Sequence, residues 1–347
     1  MDLSWRHSVD RFCHQYFQLE SHLDFPEANH LRLGQVQDEI YGRMFSGESL
    51  EVGPPDRYRV KTLKDLVRQI ESAIDDWDKY EVSDAIMSTL SSLMAASLPS
   101  EVMTAQEKCF VTYHLSLLDD PSLLSAQEET RPLRPSITLL ENRSLIAAGG
   151  TTGLRTWEAA LHMGQYLCQN PTLVKGKHVL ELGAGTGYLS ILCVKHLQAV
   201  HAVASDGSAD VINNLPKNLS LNGLQEASGV TPMELQWGYA LTGTKDEHLN
   251  TAQPVDVVLG ADITYDGRVI PALIATLLDL FTLYPEVQVY ISATERNAET
   301  YQVFLDVCKE RNLLVESLAS EIPPRSQQRG PFYNDDVSIK LCRVARI

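Results

Sequence analysis

The stretch His178-Val-Leu-Glu-Leu-Gly-Ala-Gly-Thr-Gly-Tyr188 has residue types and a spacing suited to holding a small ligand. An apolar run carrying Glu181 gives way to Gly183, Ala184, Gly185 and Gly187, then to a helix predicted from about Tyr188. Glycine is needed where the backbone takes positive φ or approaches a ligand closely. The first amides of the helix then face that ligand. A nicotinamide site spells G-x-G-x-x-G, its third glycine one place later, where this chain has Tyr188. The tighter G-x-G-x-G suits a ligand without pyrophosphate, and a purely structural turn is the competing reading. Asp206 ends the next apolar run, Val200–Ser205. A carboxylate there can accept hydrogen bonds from both hydroxyls of a ribose. Asp206-Gly207 also spells a turn, and it is Glu181 and the glycines that favour the ribose.

Further on, Gly260-Ala-Asp-Ile-Thr-Tyr265 closes another apolar run. Asp262 and Tyr265 stand three apart in a strand-to-helix loop, so both can point into one crevice outside the strand ends. The alternative makes Asp262 a helix N-cap and Tyr265 a surface residue.

These residues need a scaffold that brings strand ends together. From about Pro135 strand-like and helical runs alternate: His178–Leu182, 187–197, Val200–Ser205, 208–221, Met233–Gln236, Val255–Gly260, 268–282, Val287–Ser292, 297–311, Val315–Ala319 and Val337–Val344. Such alternation implies βαβ units and a mostly parallel, doubly wound sheet. Only a Pro/Gly/Gln-rich loop separates the last two strands, which predicts an antiparallel hairpin at the sheet edge. Ile137–Glu141 and Ser144–Ala147 read as another short hairpin, and Leu154–Leu167 as an amphipathic helix containing Trp157. The first hundred residues differ in texture. Trp5, Val9, Phe12, Tyr16, Leu19 and Leu23 fall three or four apart, as do Leu63 to Trp77 and Val82 to Met94. Three helices follow, with a loop over 46–57 and no catalytic constellation.

Twenty-nine Lys and Arg against 45 Asp and Glu leave a net charge of −16. So acidic a chain is a poor general binder of nucleic acid or anionic membranes. No apolar run is long enough to span a bilayer, and the residues from Met1 to Glu20 do not suit a secretory signal. Six scattered cysteines without CxxC read as reduced thiols of an intracellular protein.

The glycine motif with Asp206 resembles the S-adenosylmethionine-dependent class I, seven-stranded methyltransferases. Thr152-Gly-Leu-Arg-Thr-Trp-Glu-Ala-Ala160, Trp237-Gly238 and Gly260 to Tyr265 resemble their protein-lysine branch. The whole chain is similar to the FAM86-type family, whose members methylate a lysine of translation elongation factor 2. The resemblance implies an α/β fold: a Rossmann-like seven-stranded, mostly parallel sheet with an antiparallel C-terminal hairpin, preceded by an α-helical N-terminal region. Residues 1–130 would be the helical recognition or packing region and 131–347 the methyltransferase domain. It also implies S-adenosyl-L-methionine as cofactor, held by Trp157, Glu181, Gly183, Ala184, Gly185, Gly187, Asp206, Trp237 and Ala261. Trp157 would wall the methionine end, and Trp237 can stack on adenine; core packing is the alternative for both. Asp262 and Tyr265 would be catalytic, orienting a neutral lysine amine held about 3 Å from the methyl group. No metal is expected, since the sequence around Cys193, His196 and His201 supplies no carboxylate to complete a ligand set. The expected protein is a cytoplasmic lysine methyltransferase whose partner is elongation factor 2. A methyltransferase of another protein or a small molecule is one alternative, a catalytically silent adaptor the other.

Overall fold

The computed structural model describes residues 5–47, 52–96, 107–119, 134–142, 152–225, 229–239, 241 and 254–347. The chain forms two compact units. The first gathers Met1–Ser116, Leu140–Leu145 and Arg329–Phe332. Its helices are α1 (Arg6–Phe17), α2 (Ala28–Leu31), α3 (Gly34–Met44), α4 (Asp56–Ala73) and α5 (Asp84–Ala95). The three-four spacing of Val9, Phe12 and Tyr16 on α1 and of Leu63, Leu66 and Ile70 on α4 turns those side chains into one fully buried cluster. Three sequence expectations shift. Helix α3 was not predicted, Leu19 and Leu23 lie beyond the end of α1, and Trp77 lies beyond the end of α4, 59% exposed rather than on its buried face.

Strands β1 (Cys109–His114) and β2 (Ser136–Glu141) make a two-stranded sheet. The hairpin partner expected for β2, Ser144–Ala147, lies outside the described residues. The described partner is β1, which the sequence reading passed over.

The second unit holds a seven-stranded sheet of β3 (His178–Leu182), β4 (His201–Asp206), β5 (Val230–Glu234), β6 (Val257–Ala261), β7 (Gln288–Thr294), β8 (Leu313–Ser317) and β9 (Ile339–Arg346). Their order is β5-β4-β3-β6-β7-β9-β8. The first five strands pair in parallel, and β9 runs antiparallel between β7 and β8. The chain also forms α6 (Glu158–Gln169), α7 (Tyr188–Ile191, continued by a π-helical turn over Leu192–His196), α8 (Ala209–Leu221), α9 (Ile270–Leu283) and α10 (Ala298–Glu310). Strands β3 and β6 are buried on both faces, which is why they read as unbroken apolar runs. Leu180, Val258, Ile274, Leu277, Ile291 and Phe304 share one buried cluster. From β3 the chain winds outward through β4 and β5, then returns to β6 and winds the other way. A crevice opens at such a reversal, outside the carboxyl ends of the strands.

Candidate functional site

A crevice of about 840 Å³ lies at that reversal, within the usual range for small-molecule sites. The glycine turn between β3 and α7 forms its floor. Gly183 has φ +65° and Gly185 φ +53°, conformations that side chains rarely adopt. A Cβ on Gly183 would sit 2.7 Å from Ile263 Cγ2, and one on Gly185 would sit 3.0 Å from the Gly153 carbonyl oxygen. Glycine is therefore required at these two positions by the surrounding protein itself. Ala184 N–H donates to the Ser205 carbonyl at 2.8 Å, tying the turn to β4. The hydroxyls of Thr156 and Thr186 share a bond of 2.7 Å, tying it to the segment before α6.

Three carboxylates line the crevice. Glu181 is buried, and its Oε2 accepts from both the amide (2.9 Å) and the hydroxyl of Ser190 in the following helix. Burial pushes its carboxyl up to about 7, with the Asp206 charge adding to the effect. Asp206 accepts from Gly185 N–H at 3.1 Å on Oδ2 and from Ser208 N–H at 2.9 Å on Oδ1. Burial raises its pKa against the pull of those donors.

Asp262 has φ +52°, an uncommon conformation for a residue with a side chain. Its Oδ1 accepts from Thr294 N–H at 2.7 Å and its Oδ2 from Thr294 Oγ1 at 2.9 Å. Arg296 Nη2 stands 3.6 Å from the same Oδ2. Burial raises this pKa too, opposed by Thr294 and Arg296. Helix α9 starts at Ile270 with Val269 in the cap position, so Asp262 does not cap it. Tyr265 is exposed and lines the same crevice.

Trp157 precedes α6 instead of sitting inside it, with extended backbone and its Nε1 donating to the Thr152 carbonyl at 3.0 Å. Guanidiniums of Arg155 and Arg296 flank its ring, 4.9 and 4.8 Å from the centroid. Trp237 is half-buried against the main core, its Cζ2 lying 3.5 Å from where a Gly183 Cβ would be. Ala261 ends β6 in the crevice wall. The crevice thus brings together Trp157, Glu181, Gly183, Ala184, Gly185, Asp206, Trp237, Ala261, Asp262 and Tyr265. Gly187, φ +82°, is not among its lining residues and caps the helix behind it. Sequence reasoning missed Thr294, Arg296 and Glu158. The available signal was that Thr294-Glu-Arg296 ends the strand beside β6. Among the described residues, no cluster of three or more His, Cys, Asp or Glu is gathered to hold a metal ion.

A family model described as lysine methyltransferase matches residues 144–311. The chain is 53% identical over 336 residues to the protein-lysine N-methyltransferase EFM3 of Chaetomium thermophilum, covering 97% of each. It is 29% identical over 302 residues to the human protein-lysine N-methyltransferase EEF2KMT, covering 78% of this chain and 88% of that one. EFM3 of Saccharomyces cerevisiae is 32% identical over 193 residues, covering 51% and 54% respectively.

Proposed function

Since this chain belongs to the protein-lysine N-methyltransferases, we propose that its methyl donor is S-adenosyl-L-methionine and its acceptor a lysine of translation elongation factor 2. The observation that carries the donor is the meeting, in one crevice at the sheet's reversal, of a close-packed glycine turn, Asp206 and Trp237. The Asp206 carboxylate accepts from Gly185 N–H on Oδ2 and from Ser208 N–H on Oδ1, and its two oxygens offer about four acceptor sites, so ribose hydroxyls can still bond it. The Trp237 ring beside Gly183 offers a flat apolar wall suited to adenine. Ala261 keeps the end of β6 open, and Trp157 walls the side towards Asp262. Glu181 acts indirectly, because its bonds to Ser190 hold the helix that follows the turn.

The donor, when bound, supplies a methyl group on a positively charged sulfur. The protein's task is to hold a neutral amine in line with it. A free lysine has a pKa of about 10.4, so burial in the crevice favours the uncharged, nucleophilic form. Asp262 accepts a hydrogen bond from that amine, and Tyr265 walls the approach. The resemblance to the FAM86-type family supports elongation factor 2 as acceptor, and such an acceptor implies a cytoplasmic site of action. Residues 1–130 are assigned as an α-helical recognition or packing region.

Incubating the protein with tritiated S-adenosylmethionine and unmethylated elongation factor 2, then mapping the label to one lysine, tests both halves. In a parallel incubation with cell lysate, label on another protein and none on elongation factor 2 would keep the donor and overturn the acceptor. No donor binding by calorimetry would overturn the donor.

A further inference from the structure

Arg296 and Arg155 both line the crevice, and of the two it is Arg296 that stands beside Asp262. Its Nη2 donates to Glu158 Oε2 at 2.9 Å and stands 3.6 Å from Asp262 Oδ2, while the guanidinium lies over Trp157. We propose that Arg296 is a positioning residue that fixes the Asp262 carboxylate and admits the acceptor lysine in its neutral form. The inference rests on the assignment of Asp262 to the acceptor amine.

An amine oriented by Asp262 must share that carboxylate with the guanidinium. Two cations at one carboxylate repel, and the amine can relieve the repulsion by losing its proton to solvent, whereas a guanidinium cannot. Other charged and titratable groups surround this point. Arg155 stands 3.9 Å from Glu158 before and at the start of α6. Tyr265 follows β6, and Tyr301 of α10 lines the same crevice. Glu295, next to Arg296, is paired with Lys340 of β9 at 3.2 Å and so is partly neutralised. Glu158 is thus the anion that most directly tempers Arg296. Removing one or the other should move the acceptor in opposite directions.

The experiment is a pH profile of single-turnover methyl transfer at saturating S-adenosylmethionine and saturating unmethylated elongation factor 2. The side chain of Arg296 is 44% exposed, so solvent screens it. Arg296→Gln is expected to move the acid limb up by about one pH unit, a roughly tenfold loss near neutrality that shrinks at alkaline pH. Arg296→Lys keeps the charge and should keep the limb, with a lower plateau from the lost fork. Glu158→Gln should move the limb down. Parallel profiles for the wild type and the Gln variants would overturn the proposal, since a merely structural residue scales the rate at every pH. A shift in Arg296→Lys equal to that in Arg296→Gln would overturn it as well. Wild-type enzyme that binds donor but labels no lysine would overturn the functional reading and this inference together.

Discussion

Asp262 combines positive φ, burial and two bonds from Thr294, so its carboxylate is held at the cost of about 1 kcal/mol or more of backbone strain. Asp262→Ala is expected to cut the single-turnover rate by about 100-fold while donor affinity stays near normal, because a misplaced amine loses effective molarity steeply. Near-normal turnover in a folded variant would remove Asp262 from the chemistry. The glycine turn calls for a different outcome. A Cβ at Gly183 meets Ile263 at 2.7 Å and sits at φ +65°, so Gly183→Ala should lower stability by roughly 2 kcal/mol. Urea denaturation checks it. An unchanged midpoint with lost donor binding would mean that the side chain blocks only the ligand. Glycines and Asp206 were legible in the sequence because a turn joining one strand to the next helix is local. Arg296 and Glu158 were not: 138 residues separate them, and only the tertiary fold brings their side chains together.

Strands of the parallel sheet were legible because burial on both faces leaves an unbroken apolar run that no loop resembles. Boundaries moved by a few residues, as with the strand expected at Met233–Gln236 and found at Val230–Glu234. Helix α3 escaped notice because only Val36, Ile40 and Met44 mark its buried stripe, among glycines and polar residues. Strand β1 was missed for a similar reason, since Val111 and Tyr113 are its only fully buried side chains. The end of α1 shows a contact no periodicity could reveal. Gln18 donates from Nε2 to the Phe332 carbonyl and accepts from Phe332 N–H at 2.8 Å, across 314 residues of sequence. One side chain thus bonds both polar groups of a buried backbone unit. Gln18→Ala should therefore cost about 2 kcal/mol of stability by removing both of these bonds to a buried backbone. Chemical denaturation of the full-length chain measures it, and a change below about 0.5 kcal/mol would mean that other groups satisfy the Phe332 backbone.

Because Arg329–Phe332 belongs to the first unit, cutting the chain near residue 100 leaves part of that unit behind without its core. The whole molecule is better probed through its buried titrating groups. Glu181 titrates near 7 against an ordinary 4.5, raised mainly by burial. Between those values the folded chain keeps a proton that the unfolded chain has released, so stability falls as pH rises through that window. His162 behaves oppositely. Its ring lies between Tyr333 Oη at 3.2 Å from Nδ1 and Ser320 Oγ at 2.9 Å from Nε2, and burial lowers its pKa from 6.5 to about 4. The unfolded chain there binds a proton that the folded chain refuses, so stability falls as pH drops through that window. The two slopes oppose each other where the windows overlap, between 4.5 and 6.5. Glu181→Gln should expose the histidine slope, with urea midpoints rising between pH 4.5 and 6.5 more steeply than in the wild type. His162→Gln should expose the carboxylate slope, with midpoints falling as pH rises. Each difference should amount to about 1–3 kcal/mol across the window. Slopes that stay parallel to the wild type in both variants would mean that these two groups titrate alike in the folded and unfolded chains, and that the site's acidity is set elsewhere.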